Sequence, residues 1–183
     1  MTAPIKPIHS EWSIQCLLFE HLCAKQHTFI FPNVHLAYWE ADLISVTKAG
    51  YINEYEIKLT RSDYTADFNK ESKHKWLSMA KELVRNKDVT GVPAYFWYVA
   101  PEGIIDTVPE YAGQIEIRWL PETWFKDGVC EIKRAPRLHS AKISLHQKEK
   151  VYRSAQWKLW NARRTIAEIM QMQRLFKHIK VEL

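Results

Sequence analysis

The segment from residue 39 to residue 58 constrains the fold of this chain most strongly, because it has the pattern of two strands joined by a tight turn. An apolar stretch over residues 43–46 leads into Lys48-Ala49-Gly50, and a second strand pattern begins at Tyr51. Three-residue hairpin loops commonly carry Gly at the left-handed position. If Thr47 pairs with Tyr51, the register of the whole hairpin is fixed. The sequence therefore predicts an antiparallel hairpin with defined partners across it.

This register gathers charged side chains on one face of the hairpin. Asp42 would lie directly opposite Glu56, and directly opposed residues share a sheet face. Because side chains alternate along a strand, Glu54 and Lys58 share that face with Glu56. Two carboxylates suit a hard cation such as Mg²⁺, and a lysine beside the metal can orient water or stabilise charge on a phosphate. The alternative is a solvated hairpin whose charges keep it soluble.

The residues around this hairpin resemble the PD-(D/E)XK nuclease superfamily. In the matching stretch, 40–68, Asp42 precedes Glu56-Ile57-Lys58, and Arg61-Ser62-Asp63-Tyr64 opens the next helix. Within the superfamily the chain looks like the MmcB-like DNA-repair proteins and related phage or prophage proteins. Weaker similarity covers most of the first 140 residues. Ala41 stands where the motif has proline, which many members of the superfamily also lack.

The resemblance implies a restriction-endonuclease-like α/β sandwich with a mixed central sheet. It also implies a Mg²⁺- or Mn²⁺-dependent nuclease that hydrolyses DNA phosphodiester bonds, in DNA repair or in phage DNA processing. Asp42, Glu56 and the carbonyl of Ile57 would bind the metal. Lys58 would orient water and stabilise the transition state. An acid on the first helix would assist this site.

A first helix is predicted from residue 11 to about residue 25, with Ser10 as its N-cap. Its buried stripe consists of Ile14, Leu17, Leu18 and Leu22. Glu11 projects into that stripe, and the resemblance makes it the assisting acid. The alternative is that Glu11 only interacts favourably with the helix dipole. Cys16 and Cys23 are expected to be small core residues.

A second helix is predicted over residues 62–86, directly after the hairpin. It carries Lys70 and Lys75, and Lys75 is in phase with the aromatic positions that face the sheet. Superfamily members often place a basic residue on this helix near the scissile phosphate, so the resemblance implies nucleic-acid contacts for both lysines. A solvated helix face is the alternative for each. Asp63 and Asp67 are expected to stabilise the helix N-terminus.

The remaining strand patterns complete an α/β sandwich. Strands are predicted over 28–31, 92–100, 115–119 and 129–133, the first ended by Pro32-Asn33. The run 92–100 is continuously apolar, as in a central strand that is covered on both faces. A second Glu-x-Lys motif at Glu131 and Lys133 has no acid at hairpin distance before it, and a solvated strand face is predicted there.

Charge divides the chain into a core, residues 1–139, and a basic helical extension, residues 140–183. From residue 139 onward ten Lys or Arg face three acidic residues, a net +7, whereas the rest sums to about −2 of the chain's +5. A basic helix beside a near-neutral body suits a polyanion, and Lys158, Arg163 and Arg164 are candidate DNA contacts. The equal alternative is a charged amphipathic helix packed on the body. Trp157 and Trp160 are expected to pack onto the body, and stacking on bases is the alternative.

Composition limits the classes of function. Three cysteines, an odd count, and an N-terminal segment without an apolar leader favour a cytoplasmic protein. No run approaches transmembrane length, and no zinc motif occurs. The second hypothesis is a DNA-binding accessory protein that keeps the nuclease fold but cleaves little; a phage structural or interaction protein is third. DNA is the expected partner, and a homodimer or a partner protein stays open.

Overall fold

The computed structural model describes residues 9–36, 39–85, 91–120 and 126–179. Six strands form one mixed sheet in which every strand lies beside its sequence neighbours. The strands are β1 Phe29–His35, β2 Glu40–Val46, β3 Ile52–Ile57, β4 Tyr95–Pro101, β5 Ala112–Leu120 and β6 Lys126–Lys133. β3, β4 and β5 are parallel, and the outer pairs are antiparallel. The predicted α/β class with a mixed sheet is confirmed.

Five helices cover this sheet, and none of those described is long and apolar enough to cross a membrane. They are α1 Glu11–Ala24, α2 Arg61–Asp67, α3 Glu71–Ser78, α4 Ala80–Arg85 and α5 Leu145–Ile179. The three short helices form the crossover between β3 and β4, since a parallel pair cannot be joined by a tight turn. The predicted helical C-terminus is a single helix.

The two faces of the sheet have separate cores. On one face Ile14, Leu18 and Leu22 of α1 pack over the centre of the sheet. The Ser10 side chain caps this helix, as predicted. On the other face α3 covers Phe96 and Tyr98, while the first turns of α5 place Val151 over β1 and β2. The candidate site lies on this second face, beneath the crossover helices.

The predicted hairpin register is confirmed. Leu43 pairs with Tyr55 and Val46 with Ile52, and the Thr47 N–H donates to the Tyr51 carbonyl at 2.9 Å. Gly50 has a φ of +88°, which is the left-handed conformation that the three-residue loop requires. The loop chemistry therefore fixes which side chains meet across the hairpin.

The prediction that the first strand stops at Pro32-Asn33 is wrong. β1 runs through both residues to His35, and its ladder with β2 resumes at Val34. β1 is an edge strand, where the missing N–H of proline is tolerated. Asn33 takes a φ of +52°, a conformation that Asn accepts more readily than most residues.

The prediction of one helix over 62–86 is also wrong, and residue 86 lies outside the described residues. α2 ends at Asp67, and Lys70 has a non-helical φ of −83° and ψ of 59° before α3 begins. The break resets the helical phase, so Lys73 is buried toward the sheet whereas Lys75 is exposed. Asp67 accordingly lies at the end of α2 and not at a helix N-terminus.

Two smaller predictions concern exposure. Glu131 and Lys133 are exposed on β6, which confirms the solvated strand face. Cys16 and Cys23 are exposed on α1, so the prediction that they are core residues is wrong. Their helix face points away from the stripe that packs on the sheet.

Candidate active site

β3 and the residue that follows it carry three charged side chains into the interior of the protein. Glu54, Glu56 and Lys58 alternate along the strand onto the second face, and all three are buried. Buried charges are rare unless they are paired, because they lose their hydration. The partners of these three residues therefore define the site.

Asp42 joins the cluster from β2. It immediately precedes the paired residue Leu43, and its Oδ2 accepts a hydrogen bond from the backbone N–H of Ile57 at 2.7 Å. Burial, together with the negative charges of Glu56 and Glu11, raises the pKa of Asp42 to about 7, against the opposing effects of the Ile57 N–H and Lys58. A cation at this position would relieve the repulsion among the three carboxylates.

Three ammonium groups surround the carboxylate of Glu56. Lys58 Nζ lies 2.8 Å from Oε1, Lys73 Nζ lies 2.6 Å from Oε2, and Lys70 Nζ lies 3.3 Å from Oε1. Lys58 and Lys73 are buried, whereas Lys70 is half exposed at the edge of the cluster. Lys70, which the sequence predicts to contact DNA, therefore lies at the edge of the candidate site.

Asp67 is a fourth carboxylate that the sequence prediction missed. Its Oδ1 lies 2.8 Å from Lys70 Nζ and 3.1 Å from Lys58 Nζ, and Tyr98 donates to Oδ2 at 2.9 Å. Burial raises the pKa of Asp67, but the ammonium groups of Lys73, Lys70 and Lys58 outweigh burial and lower it well below its usual range. Asp67 therefore stays ionised and holds Lys58 in place.

Glu54 is the most deeply buried acid of the cluster. Its exposure is 0%, and the Trp39 indole N–H donates to Oε1 at 2.7 Å. Within the described residues Oε2 has no hydrogen-bond partner, and Lys73 Nζ stays 4.0 Å from Oε1. Burial raises the pKa of Glu54 to about 7, against Lys73 and Trp39, which lower it.

Glu11 reaches the site through an amide network. It is exposed and not part of the buried stripe, but Gln15 is buried one turn later. The Gln15 amide donates to Glu11 Oε1 and to the Asp42 carbonyl, both at 2.9 Å. With the Asn33 amide nitrogen turned toward them, Asn33 donates to the same two oxygens at 3.1–3.2 Å. The first turn of α1 is thereby tied to β2 beside Asp42.

The other predicted DNA contacts lie outside this cluster. Lys75 is exposed on α3. Lys158 pairs with Glu40 at 2.5 Å and donates to the Asn33 carbonyl, which ties α5 to the sheet. Arg163 and Arg164 are exposed further along α5, with Arg163 5.6 Å from the centre of the Trp160 ring.

The two tryptophans of α5 do not pack onto the body. Trp157 and Trp160 are both exposed, so the prediction that they are packing residues is wrong. The face of α5 that contacts the sheet carries Val151 and Lys158 instead. The tryptophans project from the other side of the helix.

The acidic cluster offers few donors to a divalent cation. Among the described residues no group of three or more His, Cys, Asp or Glu side chains is placed to hold a metal ion. Mg²⁺ is nevertheless commonly bound by one or two carboxylates together with water. Asp42 and Glu56 fit that requirement in type and charge. Glu56 would have to exchange an ammonium partner for the cation.

Comparisons with known proteins leave the function open. No protein-family model and no curated protein matches this chain. A solved structure of a protein of unknown function from Silicibacter pomeroyi is similar, with 16% sequence identity and a TM-score of 0.49. The similarity covers 82% of this chain and 85% of that one.

Proposed function

We propose that this protein is a Mg²⁺- or Mn²⁺-dependent nuclease that hydrolyses DNA phosphodiester bonds, built on a restriction-endonuclease-like version of its α/β fold. The observation that carries the proposal is the meeting of Asp42, Glu56 and Lys58 on one sheet face. The raised pKa of Asp42 supports it, because burial and the negative charges of Glu56 and Glu11 together disfavour the lone carboxylate, and a bound cation would compensate its charge. The sequence resemblance to PD-(D/E)XK nucleases points the same way.

Asp42, Glu56 and the carbonyl of Ile57 would hold the metal. When bound, such an ion polarises phosphate oxygens and lowers the pKa of a coordinated water. Lys58 is fixed between Glu56 and Asp67 at 2.8 and 3.1 Å, so its ammonium can stabilise negative charge on the phosphate without reorganising. Glu11, exposed beside Asp42, would orient water. DNA repair or phage DNA processing would be the setting.

The test is cleavage of supercoiled, linear and single-stranded DNA with Mg²⁺, by the wild type and by Lys58→Met. Losing one preorganised charge that stabilises the transition state lowers the rate by about 10²–10³-fold. DNA affinity is expected to change little, because Lys58 is buried and is one of many basic groups. Lys133→Met is the matched control, since Lys133 belongs to the exposed Glu-x-Lys motif. Normal cleavage by Lys58→Met, or loss of cleavage by Lys133→Met, would contradict the assignment.

One observation favours a second candidate, a DNA-binding accessory protein that cleaves little by itself. Both oxygens of Glu56 already have ammonium partners, Lys58 and Lys73, so its buried charge is compensated without a metal. On this alternative the purified protein binds DNA equally well with Mg²⁺ or EDTA and leaves all three substrates intact.

A further inference from the structure

α1 carries a second apolar stripe that does not face the core. Trp12, Cys16 and Phe19 follow one another at intervals of four and three residues, which places them on one side of the helix. Trp12 is 73% exposed and Phe19 is 53% exposed. Clustered exposed apolar side chains mark binding surfaces more often than scattered ones do.

This stripe forms one wall of a groove against the sheet, here called the α1 groove. Its other wall consists of Ile30, Pro32 and Leu43, and its volume is about 340 Å³. Small-molecule sites begin at roughly 300 Å³, so the groove has room for one flat ring system. It is too small for a helix.

The α1 groove lies on the α1 face of the sheet, across β2 from the acidic cluster, and it is connected to the candidate active site at the first turns of α1. Gln15 lines the groove, and the amide of the same residue donates to the Asp42 carbonyl at 2.9 Å. The same amide also donates to Glu11 Oε1 at 2.9 Å, so Gln15 links the apolar groove to the side of the candidate active site where Glu11 lies. A strand whose phosphate lies at Asp42 would place a neighbouring base near this groove.

The chemistry of the lining selects the ligand. Among the described lining residues there is no Lys or Arg to receive a phosphate, and the one charged group is the carboxylate of Glu20. Aromatic walls offer stacking faces, and a carboxylate accepts hydrogen bonds from exocyclic amino groups. A neutral heterocycle with an amino group matches both features, whereas an anion matches neither.

We infer that the α1 groove binds one unpaired nucleobase of the strand that enters the active site, stacked against Trp12 and Phe19. This inference rests on the proposed function and extends it, because a base can enter the groove only when it is unpaired. The preferred substrate is therefore single-stranded or locally opened nucleic acid.

The test is binding of a labelled, mixed-sequence 12-nucleotide single-stranded DNA in EDTA, measured by fluorescence anisotropy. Trp12→Ala and Phe19→Ala are each expected to weaken binding by about 5- to 150-fold, which corresponds to about 1–3 kcal/mol per stacked base. Trp157→Ala, an equally exposed tryptophan on α5, is the matched control. Against an oligomer of the same length with sugars and phosphates but no bases, the Trp12 and Phe19 variants are expected to bind like wild type.

A second readout uses the native cysteines. Cys16 lines the groove, and Cys23 is exposed on the same helix two turns later. The mixed-sequence oligonucleotide is expected to slow alkylation of Cys16 but not of Cys23. The base-free oligomer is expected to slow neither.

Three results would overturn the inference. The first is wild-type affinity of both aromatic variants, and the second is an equal loss of affinity for the base-free oligomer. The third is protection of Cys16 that rises with protein concentration without DNA, which would assign the groove to a second copy of the chain. None of these measurements involves cleavage. A protein that gives the expected binding results but does not cleave DNA would therefore contradict the proposed nuclease activity and not the base-binding groove.

Discussion

At the scale of the residue, Lys73 provides a buried counter-charge for Glu56. Its ammonium lies 2.6 Å from Glu56 Oε2 and 4.0 Å from both Glu54 and Asp67. A buried carboxylate without a partner would take up a proton or destabilise the fold. Lys73 therefore neutralises a site that contains more than one acid.

Replacing Lys73 by Met is expected to destabilise the protein by about 3 kcal/mol, because removing one partner of a buried pair leaves the other charge uncompensated. Lys58 and Lys70 remain near Glu56, which keeps the loss at the lower end of the usual range. Urea unfolding measures it. Lys75→Met changes an exposed lysine of the same helix, and its effect is expected to stay within about 0.5 kcal/mol. Equal stabilities of the two variants would show that Lys73 does not neutralise the cluster.

Asp42 makes stability depend on pH. Its pKa is about 7 in the folded protein against 3.8 for a free side chain, so the folded state holds the proton more tightly. The stability that this proton contributes is complete below about pH 4 and is lost as the pH rises through 7. Relative to Asp42→Asn, the wild type is expected to lose at most about 1.4 kcal/mol per pH unit over that interval. Urea unfolding of both proteins across the pH series tests this; parallel curves would contradict it.

At the scale of the element, the break between α2 and α3 separates what the sequence could predict from what it could not. The hairpin was predictable because turn chemistry and alternation fix the register over a few residues. Helical phase is predictable only while the helix continues. No proline or glycine marks the break at 68–70. A continuous helix therefore predicts that Lys75 faces the sheet, whereas Lys73 is the buried lysine, and it gives no sign of the role of Asp67.

α5 is the element on which the DNA-capture prediction depends. It is 35 residues long, and the side chains of residues 162–173 are all exposed. Arg163 and Arg164 lie on this free part, whereas the charge of Lys158 is already paired with Glu40. The free part can therefore meet a phosphate backbone, and Lys158 serves to anchor the helix.

Replacing Arg163 and Arg164 together by Gln is expected to flatten the dependence of log affinity on log salt concentration by about two units for duplex DNA, since each phosphate contact contributes about 0.9. Lys158→Gln is the control and is expected to change the slope by less than one unit. Anisotropy across a salt series measures both variants. An unchanged slope in the folded double variant would contradict DNA binding by α5 and would favour a helix that only packs on the body.

At the scale of the whole molecule, metal binding and folding are expected to be linked. A ligand that binds only the folded state raises the free energy of unfolding, by about 2.7 kcal/mol at a hundred times its Kd. Thermal unfolding with Mg²⁺ or Mn²⁺ is expected to shift upward, and more at pH 8 than at pH 6, because Asp42 must lose its proton. Asp42→Asn should remove most of the shift. A wild type that melts at the same temperature with and without millimolar metal would contradict the metal site.

The order of the chain also sets the order in which the charges of the site can assemble. Asp42 and Glu56 belong to one local hairpin, and hairpins form within about 1–10 μs. Lys70 and Lys73 arrive only with the crossover helices, after a longer stretch of chain has closed. The two acids can thus meet with Lys58 as their local counter-charge, before Lys70 and Lys73 reach the site. Protonation of one carboxylate would then reduce the repulsion between Asp42 and Glu56 in the early hairpin.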